Sequence, residues 1–188
     1  MIYIVDDIEA VVNNVRDRWL AMDSTLILMS SKAITMDGGG PPYYMYGHRL
    51  EIANRLALKG KDSSAKFKKY PMFALRLDVV EKIVGDMAQF TLNIAIVHAT
   101  KIQYTAPERY ENVFKPILYP LYNLFMEELR NTGGFWWQGP QTRPPHTKID
   151  RPFYGTVGAE GNTKNIFSDP LDAIEIIDLQ VSKRIMCD

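Results

Sequence analysis

KFKKYPMFALRLDVVEKIVGDMAQFTLNIAIVHATKIQYTAPERYENVFKPILYPLYNLFMEELRNTGG, residues 66–134, decides the fold. It divides into strand, strand and one long helix. Tyr70-Pro71 opens the first strand, where Phe73, Leu75 and Leu77 alternate with Met72, Ala74 and Arg76. A proline at the first residue of a strand removes no ladder hydrogen bond. Phe90 to Ala99 is the clearest strand. Phe90, Leu92, Ile94, Ile96 and His98 point one way, and Thr91, Asn93, Ala95, Val97 and Ala99 the other. The mixed second set predicts a sheet covered on one side and partly covered on the other. Between the two strands, Asp78 to Gln89 reads as a connection with a short turn or strand at Val79-Val80 and Ile83-Val84.

Thr105 with Glu108 three residues later forms a capping box, and Pro107 suits a first helical turn. Tyr110, Val113, Phe114, Ile117, Leu118, Leu121, Tyr122, Leu124, Phe125 and Leu129 then trace a wide apolar stripe. Pro116 and Pro120 interrupt it. Each lacks an N–H and crowds the preceding turn, so a bend or two successive helices are expected. Gly133-Gly134 ends the helix.

Working outward, Asp6 to Leu20 has a helical period, with Ile8, Val11, Val12, Val15 and Trp19 on one stripe and Asp6 or Asp7 able to cap the first turn. Thr25 to Met29 is short, apolar and β-prone. Asp37-Gly38-Gly39-Gly40-Pro41-Pro42 forbids a helix and reads as a linker; a phosphate loop would need Gly-Lys-Ser/Thr opening a helix. Arg49 to Leu58 looks helical, with Leu50, Ile52, Ala53, Leu56 and Ala57 on one side, and Gly60 to Ser64 is a polar loop. Residues 131–170, rich in glycine and proline and carrying Phe135-Trp136-Trp137, read as an extended arm or loop before a last strand, Ile174 to Val181. That strand alternates at Ile174 and Ile176 and, after a slip, at Leu179 and Val181. The expected fold is α+β: a small mixed or antiparallel sheet packed on one face by two or three helices, in a single domain spanning residues 1–188.

The bulk composition fits this plan. Of the 188 residues, 46% are hydrophobic and 23% charged, ordinary for a globular domain. Lys+Arg and Asp+Glu both number 22, so the net charge is zero, whereas a protein held to nucleic acid by its phosphates usually carries a basic excess. The one cysteine, Cys187, permits no internal disulfide and no thiolate zinc site, which suits a reducing compartment. The N-terminus lacks the basic and apolar blocks of a signal peptide, and no apolar run approaches the roughly 18 residues of a membrane span.

Chemistry is sparse. His48, His98 and His146 have no partner histidine or cysteine at metal-ligand spacing, and His98 continues a buried strand face. Glu127-Glu128 read as a solvated helix face, and Asp169 and Asp172 as turn residues at a strand entry. The paired serines lack a nucleophile-elbow context, and no dinucleotide fingerprint occurs. No catalytic, cofactor-binding or metal-binding set is expected, and the chain is not expected to be an enzyme. Phe135, Trp136 and Trp137 stand out. They fold back onto the core, form a contact with another subunit, or stack on a base or sugar, and they are the candidate interface residues.

The succession of a KYP-led strand, a strand ending in His98-Ala99-Thr100, and YTAPERYENVFKPILYPLYNLFMEEL resembles tail-completion proteins of tailed bacteriophages and prophages, the tail terminators and related neck proteins. The likeness covers Tyr43 to Arg130, with Ile174 to Val181 in its expected place. It departs at the Gly-Pro run before Tyr43 and in the long arm. The resemblance implies a virion structural subunit in the tail and neck region, assembled in the host bacterial cytoplasm. Copies would close into a ring, commonly a hexamer, around the tail lumen, ending tube growth and joining tail to head. Its partners would be itself and the neighbouring neck, connector and tail-tube proteins, with no membrane and no specific nucleic acid, although DNA would pass through the lumen. The alternatives are another head–tail connector or stopper ring, a small enzyme, or a nucleic-acid-binding accessory protein.

Overall fold

The computed structural model describes residues 3–22, 41–61, 69–132, 134–139, 142–157 and 164–185. Thr25 to Met29, the three glycines at 38–40, most of the polar loop after Gly60, and Cys187 lie outside them. The elements run α1 (Ile4–Ala21), β1 (Tyr43–Gly47), α2 (Arg49–Lys61), β2 (Met72–Arg76), β3 (Val80–Val84), β4 (Met87–Ala99), a helical rod α3 from Ala106 to Asn131, β5 (Thr147–Arg151), β6 (Thr156–Val157), β7 (Lys164–Asn165) and β8 (Leu171–Arg184). The fold is α+β. A six-stranded mixed sheet has the order β1-β2-β4-β8-β5, with β3 pairing the first half of β4; β1 runs parallel to β2 and the other pairs are antiparallel. β6 and β7 form a separate two-stranded ribbon.

The two sets of side chains on β4 enter two different cores. Phe90, Leu92, Ile94 and Ile96 pack with Phe73, Leu75, Ile174, Ile176, Leu179 and Val181 beneath α1 and α3. Ala95 and Val97 join Met45, Met72, Ala74, Leu171 and Ala173 on the opposite face, under Ile52, Ala53 and Leu56 of α2. Two helices thus cover one face as the alternation requires, and the third lies on the other. Tyr154 and Phe167, stacked with ring centroids 5.6 Å apart, extend that second cover.

The slip in the last strand is a β-bulge. The β4–β8 register shifts between Leu92 and Ile94, and Asp178 sits at φ 54° with its N–H donating to Asn93 Oδ1. The rod α3 stays continuous through both prolines by widening. Tyr110–Leu118 is π-helical, and Tyr119 N–H donates to Phe114 O, five residues back. A π turn moves the carbonyl that a proline ring would otherwise strike, and it accommodates a missing N–H.

The connection expected over Asp78 to Gln89 is a full hairpin. Val84-Gly85-Asp86-Met87 is a two-residue turn with Gly85 at φ 63°, the first central position of a II′ turn, and β4 starts at Met87. The described part of residues 131–170 is less irregular than its glycines and prolines imply, because β5 pairs along β8 and the β6–β7 ribbon follows. β5 escaped the alternation rule because Thr147, Lys148, Asp150 and Arg151 are all exposed on an edge strand.

Candidate assembly interface

The sheet is covered unevenly, and the change falls at the bulge. Beyond it, residues 94–98 of β4 and 171–176 of β8 are buried on both faces. Before it, burial alternates. Ala88, Phe90 and Leu92 are buried while Gln89 is exposed, and Leu179 and Val181 are buried while Gln180 and Arg184 are exposed. No residue of this half belongs to the core under α2. One half of one sheet face therefore stands open to solvent, with Gln89, Thr91, Gln180 and Ser182 as a polar strip. Beside it a shallow cleft of about 120 Å³ is lined by that strip together with Trp137, Gln138 and Pro145.

Apolar groups flank the strip on both sides. On one side is β3, exposed along its whole length; Val80 and Val84, on the face of the strip, are 62% and 48% exposed. On the other side is Trp136, 65% exposed. Its backbone is pinned to β8 in both directions, Trp136 N–H donating to Ser182 O at 2.8 Å and Ser182 N–H to Trp136 O at 2.7 Å. The registers Lys82–Gln89 and Gln89–Ser182, with the Trp136–Ser182 bridge, put Lys82 and Trp136 at the two ends of one rung across four strands, with Val80 and Val84 two residues to either side of Lys82 on the same face. A large aromatic ring on a fixed backbone loses little freedom on binding, which is why such residues dominate interface energetics.

The structure separates the three sequence candidates. Phe135 lies in the main core, with the Lys183 ammonium 5.3 Å from its ring centroid, and Trp137 packs partly buried against the same core. Phe135 thus folds back onto the core, which takes it out of the set available to a partner in the isolated chain. Trp136 alone presents its ring outward. β3 is the part of the patch that sequence reasoning missed. Its signal was Gly85-Asp86 between two β-prone runs.

The titratable groups serve the fold. Asp172 is a fully buried strand residue rather than a turn residue, directly opposite His98. It accepts from Arg109 Nη1 at 2.6 Å and from Phe153 N–H at 3.0 Å. Arg109, also buried, donates to the carbonyls of Tyr104 and Lys101 and packs under the Phe153 ring at 3.7 Å, so it clamps the loop from β4 to α3. Glu128 is buried rather than solvated; Arg18 Nη1 donates to it at 2.7 Å and ties α1 to α3. At the start of α3 the Glu108 carboxylate accepts from Thr105 N–H and Oγ1–H, which holds its pKa below the usual carboxylate range. Burial lowers His98 to about 4, and its Nδ1 has no hydrogen-bond partner. His146 donates from Nδ1 to Pro144 O and accepts at Nε2 from the Tyr122 hydroxyl, and His48 Nδ1 accepts from Leu50 N–H. The three histidines thus have separate local roles. Among the described residues no group of three or more His, Cys, Asp or Glu is placed to hold a metal ion, and no helix is long and apolar enough to cross a membrane. No protein-family model, curated protein or solved structure gives a significant match to this chain.

Proposed function

We propose that the chain is a virion structural subunit of a tailed bacteriophage, forming a ring, of six copies by the resemblance, at the neck where the tail tube ends and joins the head. The observation that carries this reading is the open half-sheet, where a pinned, exposed Trp136 and a strand exposed on both faces flank a polar strip. A subunit that closes a ring by a heterologous contact and meets other rings above and below needs distinct surfaces of this kind. The buried charges act in folding, tying loops and helices together, as suits a rigid body used through its surfaces. Zero net charge accords with a lumen that lets DNA pass without gripping it.

The test combines light scattering of the purified chain with tail-tube binding. A ring in solution, or a monomer that assembles on tail tubes, supports the reading. In the second case Trp136→Ala should weaken docking by roughly tenfold or more, as expected of an aromatic anchor. A monomer that ignores tail tubes and binds DNA tightly with steep salt dependence would instead make it a nucleic-acid-binding accessory protein.

A further inference from the structure

The two outer edges of the sheet match one another. Four rungs cross it without a break: Tyr43–Met72–Val97–Ala173–Arg151, Tyr44–Phe73–Ile96–Ile174–Asp150, Met45–Ala74–Ala95–Glu175–Ile149 and Tyr46–Leu75–Ile94–Ile176–Lys148. β1 and β5 therefore sit at the same height on opposite edges. They are five residues long each and, following the pairings across the sheet, run in opposite directions. Among the described residues neither has a second neighbour. An edge strand presents a row of unpaired N–H and C=O groups, a template for another strand.

We propose that copies of this chain join by pairing β1 of one with β5 of the next, antiparallel and without offset, so that one sheet runs around the ring. This rests on the ring reading above and names its contact. A closed ring is generated by rotation with no rise along its axis. Where the strands run along that axis, residues of equal height meet. Ile149 then faces Met45, Lys148 faces Tyr46 and Arg151 faces Tyr43. The chemistry fits. β1 has no charged side chain and offers three tyrosine rings, while β5 carries two cations, and a cation over an aromatic face is attracted to it. Lys148 already lies 4.6 Å from the Tyr119 ring centroid on its own subunit. The charges on β5 also blunt indiscriminate pairing, so that an aromatic edge is preferred over another charged one.

The test uses the full chain with Cys187→Ser and a cysteine at each predicted neighbour, Tyr46→Cys with Lys148→Cys. Directly opposed residues across an antiparallel pair have Cβ atoms roughly 4.5–5.5 Å apart, within reach of a disulfide. Under a mild thiol oxidant the double variant should give a ladder of covalent oligomers ending at the ring size, and each single variant should give none. Independently, Tyr46→Lys should abolish the ring peak at the concentration where the parent elutes as a ring, and Tyr46→Lys with Lys148→Glu should restore it. A ring that forms by light scattering with no ladder overturns the edge pairing and leaves the ring reading standing. Dimers cross-linked by Ile149→Cys alone would overturn it in favour of a two-fold β5–β5 contact. A chain monomeric under every condition, tail tubes included, overturns both.

Discussion

Replacing Arg109 with methionine should be among the most damaging single changes, and its size follows from the burial of its partner. Arg109 is 2% exposed and Asp172 is fully buried, with Nη1 2.6 Å from Oδ1. Removing the cation leaves a carboxylate in the core with only the Phe153 N–H to satisfy it. An uncompensated buried charge of this kind costs about 3–5 kcal/mol. At about 2.1 cal/mol/K per residue, a chain of 188 residues has an unfolding entropy near 0.4 kcal/mol/K, so Tm should fall by roughly 8–13 °C. Two causes can be separated, because Arg109 also donates to the carbonyls of Lys101 and Tyr104. If the stranded carboxylate dominates, Arg109→Met with Asp172→Leu should recover more than half of the loss, since an apolar pair of similar size often replaces a buried ion pair at little net cost. Thermal unfolding of both variants, followed by circular dichroism, decides. A double variant as unstable as the single one would refute the electrostatic account and leave loop clamping as the cause.

Three further predictions concern other parts of the fold. His98 is buried neutral with its pKa lowered to about 4, against about 6.5 when unfolded. The unfolded chain therefore takes up a proton that the folded one refuses as pH falls from 6.5, and stability declines across that window, by about 2 kcal/mol at pH 5 and about 3 kcal/mol near pH 4. His98→Leu should flatten the curve between pH 6.5 and 5 in denaturant titrations, and an unchanged slope would remove His98 as its source. Phe135→Ala should cost about 3–5 kcal/mol in the same assay, whereas Trp136→Ala, with its ring largely in solvent, should cost under about 1 kcal/mol. Equal losses would mean that Trp136 is a core residue. Gly155 has φ 88°, and a Cβ there would meet the Phe167 ring at 2.2 Å, so Gly155→Ala should destabilise by about 2 kcal/mol or more through the second core.

What was legible in the sequence was whatever buries one face regularly. The stripe of α1 at Ile8, Val11, Val12 and Val15, the capping box at Thr105, the two sets of side chains on β4 and the slip before Leu179 all have local signatures that the packing keeps. Edge strands were harder. β3 and β5 bury almost nothing, so no alternation marks them, and β1 hides among tyrosines. Buried charges were harder still. Asp172 and Glu128 look like surface residues until Arg109, 63 positions away, and Arg18, 110 positions away, arrive to pair them. The candidate interface was half legible for the same reason. Phe135-Trp136-Trp137 is conspicuous, but which ring faces out depends on the Trp136–Ser182 bridge, a contact with a distant strand.

An open antiparallel sheet face is not by itself evidence of a partner, since such sheets commonly keep one face wet. The polar strip of Gln89, Thr91, Gln180 and Ser182 would be stable in water with nothing on it. The flanks are harder to explain that way. β3 gains no burial from its position, because all five of its residues are exposed on a strand that, among the described residues, pairs only with β4. Edge strands generally blunt themselves with charge, and Glu81 and Lys82 do this in the middle of β3. Its ends nonetheless keep Val80 and Val84 on the face of the strip, opposite Thr91 and Met87, and across the sheet a tryptophan is held outward by two backbone hydrogen bonds. Exposed apolar groups along both margins of the strip offer a partner apolar area on two sides, and the strip between them stays hydrated until it is covered. The edges β1 and β5 flank the half of the sheet beyond the bulge, whose central strands are covered on both faces. Pairing there would add subunits without using the open half, which would remain free to meet a different ring above or below.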